Sequence, residues 1–186
     1  MATGAISTER LVLEEWREDV REDWVALYAD ARVSQWLGTG EPIERDRSEA
    51  EFDWMIEHWR EHGFGWRSVI EKASGRWMGA VGLSYLGDNP AGLPSDEVEI
   101  GWWLKPETWG KGYASEGASA TRDEGFEREV TDHIWARHNA HNAASGRIME
   151  KIGMTFVREG TGVEGVPIRI YELWRDRWER LIRPER

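Results

Sequence analysis

The stretch that decides the fold is EIGWWLKPETWGKGYA, residues 99–114. Its first half is rich in aromatic and branched residues and predicts a strand that ends near Leu104. Gly110 and Gly112 then allow the backbone to approach a ligand closely, and a helix is predicted after them. The first amides of a helix have no acceptor within the helix, so they form an anion site, to which Lys111 adds a positive charge. The segment therefore predicts a phosphate-binding turn.

Two familiar phosphate motifs do not fit this turn. A Walker A loop requires glycine where Lys105 stands and serine or threonine where Gly112 stands. A dinucleotide fingerprint requires glycine at Ser115. Both motifs are excluded, and the residues alone leave a turn without a ligand and a general nucleotide-phosphate site as alternatives.

The hydrophobic spacing on both sides of the turn predicts a sheet of mixed strand direction. The elements predicted before it are a strand at 9–13, helices at 19–29 and 48–62, a hairpin of strands 66–71 and 77–86, a loop at 87–94 and a third strand at 97–104. Those predicted after it are a helix from 112 to about 129, a strand at 133–137, a helix at 142–152, strands at 154–158 and 168–174, and a helical pattern at the C-terminal end. A meander followed by one β-α-β crossover predicts an α/β or α+β fold, with residues 1–186 as a single domain.

Composition narrows the class of protein. The 186 residues include 24 basic and 35 acidic side chains, a formal net charge of −11, which disfavours nucleic acid and favours cationic partners such as amines. The chain has no cysteine, which excludes a disulfide scaffold, a thiolate metal site and a cysteine nucleophile. No apolar run approaches the roughly 20 residues that span a bilayer, and no secretory signal is visible. We therefore expect a cytoplasmic protein without a membrane partner.

Several segments, taken in order, resemble one family. Residues 142–145 (NAAS) begin a helix and residues 150–154 (EKIGM) end it. With the turn at 109–114, the opening at 8–13 and the strand at 98–104, they resemble the GCN5-related N-acetyltransferase (GNAT) family. The closest likeness is to the branch that includes ribosomal-protein-alanine acetyltransferases. Residues 109–114 match the family's pyrophosphate loop, Gln/Arg-x-x-Gly-x-Gly/Ala, in all but the first position.

The resemblance implies a mixed, mostly antiparallel sheet that splays open between Leu104 and His133 to hold acetyl-CoA, with no metal. Pantetheine is expected along the strand near Leu104, the pyrophosphate on the glycine turn, and the far end of the pantetheine arm near the helix that begins after 142. The residues that the resemblance assigns to cosubstrate binding are Trp102, Trp103, Leu104, Trp109, Gly110, Lys111, Gly112, Tyr113, Ala114 and Asn142.

The implied reaction is direct transfer of an acetyl group from acetyl-CoA to a primary amine in a ternary complex. Ser145 matches the branch's proton donor to sulfur, whereas Met149 stands where many members have tyrosine, so solvent water is the alternative donor. Glu99 is the candidate base; Glu97 projects to the same face and is the alternative, and either carboxylate also fits a solvated strand edge. A strand amide near Trp103 is the candidate oxyanion donor.

The acceptor and the assembly stay open at this point. The acceptor is a peptide N-terminus, an aminoglycoside, a polyamine or another small amine, and it is selected by the first two helices and the last hairpin. A non-catalytic acyl-CoA sensor on the same fold is the alternative function. A homodimer formed through the tryptophan-rich C-terminal strand and tail fits as well as a monomer.

Two other residue groups each have two interpretations. Four tryptophans either line an acceptor pocket for an apolar or aromatic amine or belong to the core: Trp36, Trp54, Trp59 and Trp66. Helical spacing predicts that Trp59 is a core residue, and the core is favoured for most of the four. Three histidines suggest a metal site, but they form no helical His-x-x-x-His pair, which favours loop histidines that cap or face solvent: His133, His138 and His141.

Overall fold

The fold is built on one sheet of eight strands in the order β1-β2-β3-β4-β5-β6-β8-β7. The structure is a computed structural model that describes residues 4–89 and 91–183. The strands are β1 Ile6–Ser7, β2 Leu11–Glu14, β3 Trp66–Glu71, β4 Trp77–Tyr85, β5 Val98–Leu104, β6 His133–Asn139, β7 Thr155–Thr161 and β8 Pro167–Trp174. All neighbours are antiparallel except β5 and β6, which are parallel. The predicted mixed, mostly antiparallel sheet is confirmed.

Helices cover both faces of the sheet. They are α1 Arg21–Ala29, α2 Ala31–Ser34, α3 Arg45–His62, α4 Tyr113–Glu127, α5 Ala143–Lys151 and α6 Arg175–Ile182. Every predicted element is present, with shifted ends, whereas β1 and α2 are additions because each is too short to show a period. Pro90 of the predicted loop, and residues 1–3 and 184–186 of the predicted domain, lie outside the described residues.

The helix boundaries follow from local signals. In α3, Phe52 and Met55 are fully buried, and the helix ends at Gly63, whose φ of 70° suits a residue without a β-carbon. In α5, the Asn142 side chain accepts a hydrogen bond from the Ser145 amide at 3.2 Å, which caps the helix. These two boundaries therefore follow from hydrophobic spacing and capping chemistry.

The two faces of the sheet carry separate hydrophobic clusters because neighbouring strand residues point to opposite faces. On the α4 face, Ile100 and Leu104 of β5 pack in one cluster with Leu83 of β4. Helix α4 approaches the sheet closely at Gly125, where an added β-carbon would lie 2.5 Å from Leu83 Cδ1. On the α1–α3 face, the second cluster includes Phe52.

Strand β8 pairs on both sides, with β6 and with β7. Its backbone groups are therefore already paired within the sheet, so a dimer through this strand would have to use its side chains. Strand β7 is the outer strand on that side, and its residues are mostly exposed. A homodimer itself stays a prediction.

Candidate active site

A cleft opens in the sheet where β5 and β6 diverge. Among the described residues, the two strands pair only at Val98 with Ile134 and at Glu99 with Trp135. Beyond these pairs the strands separate around a cavity of about 540 Å³. The predicted site residues that line it are Glu99, Trp102, Trp103, Leu104, Trp109, Gly110, Ala114, Asn142 and Ser145. Lys111, Gly112 and Tyr113 of the predicted set do not line this cavity and lie beside it, in the glycine turn and at the start of α4.

The hydrogen-bonding direction of β5 decides which backbone groups face the cleft. The Lys105 amide donates to the Met78 carbonyl in β4 at 2.8 Å, and alternate residues of an antiparallel pair turn to the same side. By this alternation the backbone amide and carbonyl of Trp103 also face β4, whereas those of Trp102 face the cleft. The Leu104 carbonyl faces the cleft as well, and it accepts a hydrogen bond from Trp109 Nε1 at 2.8 Å. The amide that faces the cleft is therefore that of Trp102 rather than that of Trp103.

The glycine turn begins α4 with an outward-facing set of amides. Gly110 and Gly112 have φ values of 73° and 83°, a region in which residues with a β-carbon are strained. The following Tyr113, Ala114 and Ser115 form the first helical turn, whose amides have no acceptor within a helix. These donors and the helix dipole fit a pyrophosphate. Trp109 is 44% exposed and stands where the family has Gln or Arg. Its ring nitrogen donates a hydrogen bond to the Leu104 carbonyl.

Arg10 fixes this turn from the first hairpin. Its Nη1 donates to the Lys111 carbonyl at 2.9 Å, its Nε donates to Glu116 at 2.7 Å, and its guanidinium lies 4.5 Å from the Tyr113 ring centroid. Burial raises the pKa of the Glu116 carboxyl, but hydrogen bonds from Thr8 and Arg10 outweigh it and the pKa is lowered. The Lys111 carbonyl is therefore held on Arg10, while the Lys111 residue is exposed.

Glu99 faces an arginine across the divergence. Its two oxygens accept hydrogen bonds from Arg137 Nε at 2.8 Å and Nη2 at 2.7 Å, and both side chains are 21% exposed. Burial lowers the pKa of Arg137, but the hydrogen bonds and charge of Glu99 outweigh it and the pKa is raised. The alternative base, Glu97, lies before β5, and its carboxylate is 3.3 Å from His133 Nδ1. Of the two candidates, Glu99 is the one that borders the cleft.

Ser145 lines the same cavity from helix α5. It is half-buried in the first turn of α5, next to the capping residue Asn142. Met149, one turn later, is 2% exposed and also lines the cavity. At this end of the cleft Ser145 supplies a hydroxyl, and Met149 supplies only an apolar thioether.

Sequence reasoning missed the second wall, which β6 and two distant segments supply: Val33, Leu37, Gly38, Arg137, Asn139, Val163 and Val166. The charge of Arg137 could have indicated a partner for Glu99, since Arg137 lies in the neighbouring strand. The remaining residues carry no motif.

The histidines are placed separately. His138 lines the cleft; its Nδ1 is 2.8 Å from the Asn139 carbonyl, and burial lowers its pKa. His133 lies between Glu97 and Glu172 and stacks on Trp174. In the part of the chain that the structure describes, no group of three or more His, Asp or Glu side chains could hold a metal ion.

The four tryptophans divide between the cleft and elsewhere. Trp36 and Trp66 line the cavity. Trp54 is 44% exposed, so it belongs neither to the core nor to the cavity lining, and Trp59 is half-buried against Gly65.

Comparison with known proteins agrees with this geometry. The model of the acetyltransferase (GNAT) domain matches residues 10–155. The FsC-acetyl coenzyme A-N(2)-transacetylase of Aspergillus fumigatus is 27% identical over 194 residues, covering 98% of this chain and 81% of that protein. The uncharacterized N-acetyltransferase YnaD of Bacillus subtilis is 28% identical, covering 87% of this chain and 88% of that one.

Solved structures show the same fold. An acetyltransferase from Agrobacterium tumefaciens superposes with a TM-score of 0.79 at 24% identity, covering 93% of this chain and 95% of that one. RimL, a ribosomal L7/L12 alpha-N-protein acetyltransferase in complex with coenzyme A, superposes with a TM-score of 0.73 at 16% identity, covering 94% and 99%.

The cleft, the glycine turn and these similarities define an acyltransferase that uses acetyl-CoA. The chain belongs to the GNAT family and transfers an acetyl group from acetyl-CoA to an amine. The family match and the named relatives support this catalytic function and not the non-catalytic sensor. Among the described residues, no helix has both the length and the apolar character needed to cross a membrane.

Proposed function

We propose that the chain transfers the acetyl group directly to a primary amine in a ternary complex, as in the ribosomal-protein acetyltransferase branch, with a protein N-terminus or a small amine as acceptor. The observation that supports the proposal is the cleft itself, which has a glycine turn with unpaired helix amides at one end and is lined by both Glu99 and Ser145. A covalent acetyl-cysteine route is excluded because the chain has no cysteine.

Different residues bind different parts of acetyl-CoA. Acetyl-CoA supplies the activated acetyl group as a thioester. The amides from Gly110 to Ala114, with Lys111, bind the pyrophosphate, and Asn142 with the β5 edge orients the pantetheine arm. The Trp102 amide donates a hydrogen bond toward the acetyl carbonyl.

Two side chains move protons in this proposal. Glu99 accepts the proton that the amine loses, after its carboxylate turns from Arg137 toward the acceptor. Ser145 donates a hydrogen bond to the leaving sulfur and passes a proton to it while its hydroxyl takes a proton from solvent water. Met149 has no proton to give, so Ser145 or water must supply it.

Calorimetric titration with acetyl-CoA, with ATP as the control ligand, tests the cosubstrate site. We expect micromolar affinity for acetyl-CoA that ATP does not compete away. Gly112→Asp should abolish this binding because it places a carboxylate in the anion site. Gly87→Asp is the matched control, since Gly87 also has a positive φ of 58° and an added β-carbon there meets nothing within 4 Å. Retained affinity in Gly112→Asp would show that the turn does not bind the pyrophosphate.

Initial-rate kinetics test the order of the reaction. Double-reciprocal plots against acetyl-CoA at several amine concentrations should intersect if transfer occurs in a ternary complex. Parallel lines would contradict direct transfer.

We also propose that residues 1–186 act as one N-acetyltransferase domain, which the single sheet of the described residues supports. A cytoplasmic location, a homodimer, and the lack of nucleic-acid, membrane and metal partners stay predictions. Light scattering at two protein concentrations measures the oligomeric state.

A further inference from the structure

The cleft has two chemically different sides. On β5, Trp102 and Leu104 point to the face that α4 and α5 cover, where the glycine turn and Ser145 lie. Glu99 and Trp103 point to the opposite face, and Trp103 packs against the α1–α3 cluster. Because the glycine turn, Trp102 and Leu104 belong to the first face, the second face is the one left for the acceptor amine. We call the cavity on this second face the acceptor chamber.

Trp66 forms the floor of the acceptor chamber. Its indole crosses two glycines on neighbouring strands: a β-carbon on Gly82 would lie 2.3 Å from Trp66 Cα, and one on Gly101 would lie 2.6 Å from Trp66 Cη2. The Trp66 ring nitrogen is 3.4 Å from the Ser84 hydroxyl, which fixes the plane of the ring. Since the side chain is 8% exposed, it gives the chamber a flat and immobile apolar base.

The side walls are also apolar. Val33, Trp36 and Leu37, from α2 and the turn after it, line one wall. Val163 and Val166, between β7 and β8, line the other. Val163 is 53% exposed, which places an apolar side chain at the rim rather than in the core.

Among the described residues that line the cavity, the charged side chains are Glu99 and Arg137, which neutralise each other at 2.7 Å, whereas Glu164, between the two wall valines, is exposed and does not line it. An acceptor with several ammonium groups would lose hydration in the acceptor chamber and find one carboxylate that is already paired. An indole face can attract a single cation, but it does not replace the hydration of three or four. The overall charge of −11 therefore does not describe this part of the surface.

We propose that the acceptor is a primary amine on an aromatic or bulky apolar body, either a small arylalkylamine or a peptide whose first side chains are apolar, and not a polyamine or an aminoglycoside. The body lies on Trp66 between Trp36 and the β7–β8 connection, and its amine reaches Glu99. This inference rests on the proposed acetyl transfer and names the acceptor for the same site.

Acceptor profiling tests the inference with saturating acetyl-CoA and thiol release as the readout. The panel pairs tryptamine and 2-phenylethylamine with spermidine and kanamycin, and a peptide beginning Ala-Phe-Leu with one beginning Ala-Asp-Lys. We expect kcat/KM to be at least about tenfold higher for the apolar member of each pair, the size of effect that apolar pocket contacts produce. A preference for spermidine or kanamycin would overturn the acceptor inference.

Substitutions test whether the walls of the acceptor chamber select the acceptor. Trp36→Ala should lower kcat/KM for tryptamine by about tenfold or more, with Trp36→Phe intermediate and the Kd of acetyl-CoA unchanged. Trp54→Ala is the matched control, because Trp54 is 44% exposed on α3 and lies outside the chamber walls described above. An equal loss in Trp36→Ala and Trp54→Ala would overturn the inference, as would no loss in Trp36→Ala.

The panel separates the two proposals. Failure of acetyl-CoA to bind, or turnover with no amine at all, overturns the proposed transfer together with the acceptor class. Turnover confined to the polycationic amines leaves the transfer intact and overturns the acceptor class alone.

Discussion

Glu99→Gln tests the proposed role of the carboxylate at the divergence of β5 and β6 as the base. Glutamine has nearly the same shape but cannot take a proton from an amine at neutral pH. If Glu99 is the base, kcat should fall by about 10²- to 10⁴-fold, the usual contribution of general base catalysis. The KM for acetyl-CoA should stay within about twofold, because Glu99 points to the face opposite the glycine turn.

The same substitution has a cost in stability that follows from the ion pair. Glu99 accepts two charge-assisted hydrogen bonds from Arg137, at 2.8 and 2.7 Å, and such bonds each contribute roughly 1.5–3 kcal/mol. Glutamine keeps one oxygen acceptor but loses the charge, and both side chains are 21% exposed, so water compensates part of the loss. We therefore expect the free energy of unfolding to fall by about 1–3 kcal/mol.

The assay combines thiol-release kinetics with urea unfolding, so that lost activity is not mistaken for lost structure. Glu97→Gln is the matched control, since the Glu97 carboxylate contacts His133 rather than Arg137. Activity of Glu99→Gln within threefold of the unsubstituted protein would refute the assignment of Glu99 as the base. A large fall confined to Glu97→Gln would move the role to that residue.

Two further predictions concern the scaffold. Gly101→Ala should lower the free energy of unfolding by about 1–3 kcal/mol, because its β-carbon would lie 2.6 Å from the buried Trp66 ring. Gly117→Ala is the control and should not destabilise the protein, since the added carbon there meets its neighbours at ordinary contact distances. Equal urea midpoints for the two variants would contradict this prediction. His58 is held by the Phe64 carbonyl at 2.9 Å, and burial lowers its pKa below the ordinary 6.5. The fold therefore favours neutral His58, so its contribution to stability is present above about pH 6.5 and lost as the pH falls further. The urea midpoint should drop between pH 7.5 and pH 5.5, less so in His58→Leu, and an unchanged midpoint would contradict the assignment.

The cosubstrate side of the site was predictable because its information is local. Residues 99–114 hold the strand, the glycine turn and the helix start in one continuous segment, and 142–145 hold a capped helix start. Each of these features follows from backbone conformation and unpaired amides, which neighbouring residues decide. Their order along the chain was sufficient to predict the two ends of one cleft.

The partner of Glu99 was not predictable in the same way. Arg137 is 38 positions away along the chain, and its contact depends on the parallel register that sets Val98 opposite Ile134. A shift of one residue in that register would turn Arg137 to the other face of the sheet. Hydrophobic spacing predicts that β6 exists, but it does not predict which β6 residue lies opposite which β5 residue.

The acceptor chamber was not predictable either, because its residues are far apart along the chain and depend on how the strands pair. Its floor comes from β3, one wall from α2 and the turn after it, the other wall from the β7–β8 connection, and its charged pair from β5 and β6. The α2 wall and the β7–β8 wall contribute nothing to the glycine turn or to the Asn142 cap, which hold the cosubstrate in the proposed arrangement. The two walls can therefore change chemistry without changing the affinity for acetyl-CoA. The same separation explains why a motif that identifies the transferred group leaves the acceptor undetermined until these distant segments are brought together in the fold.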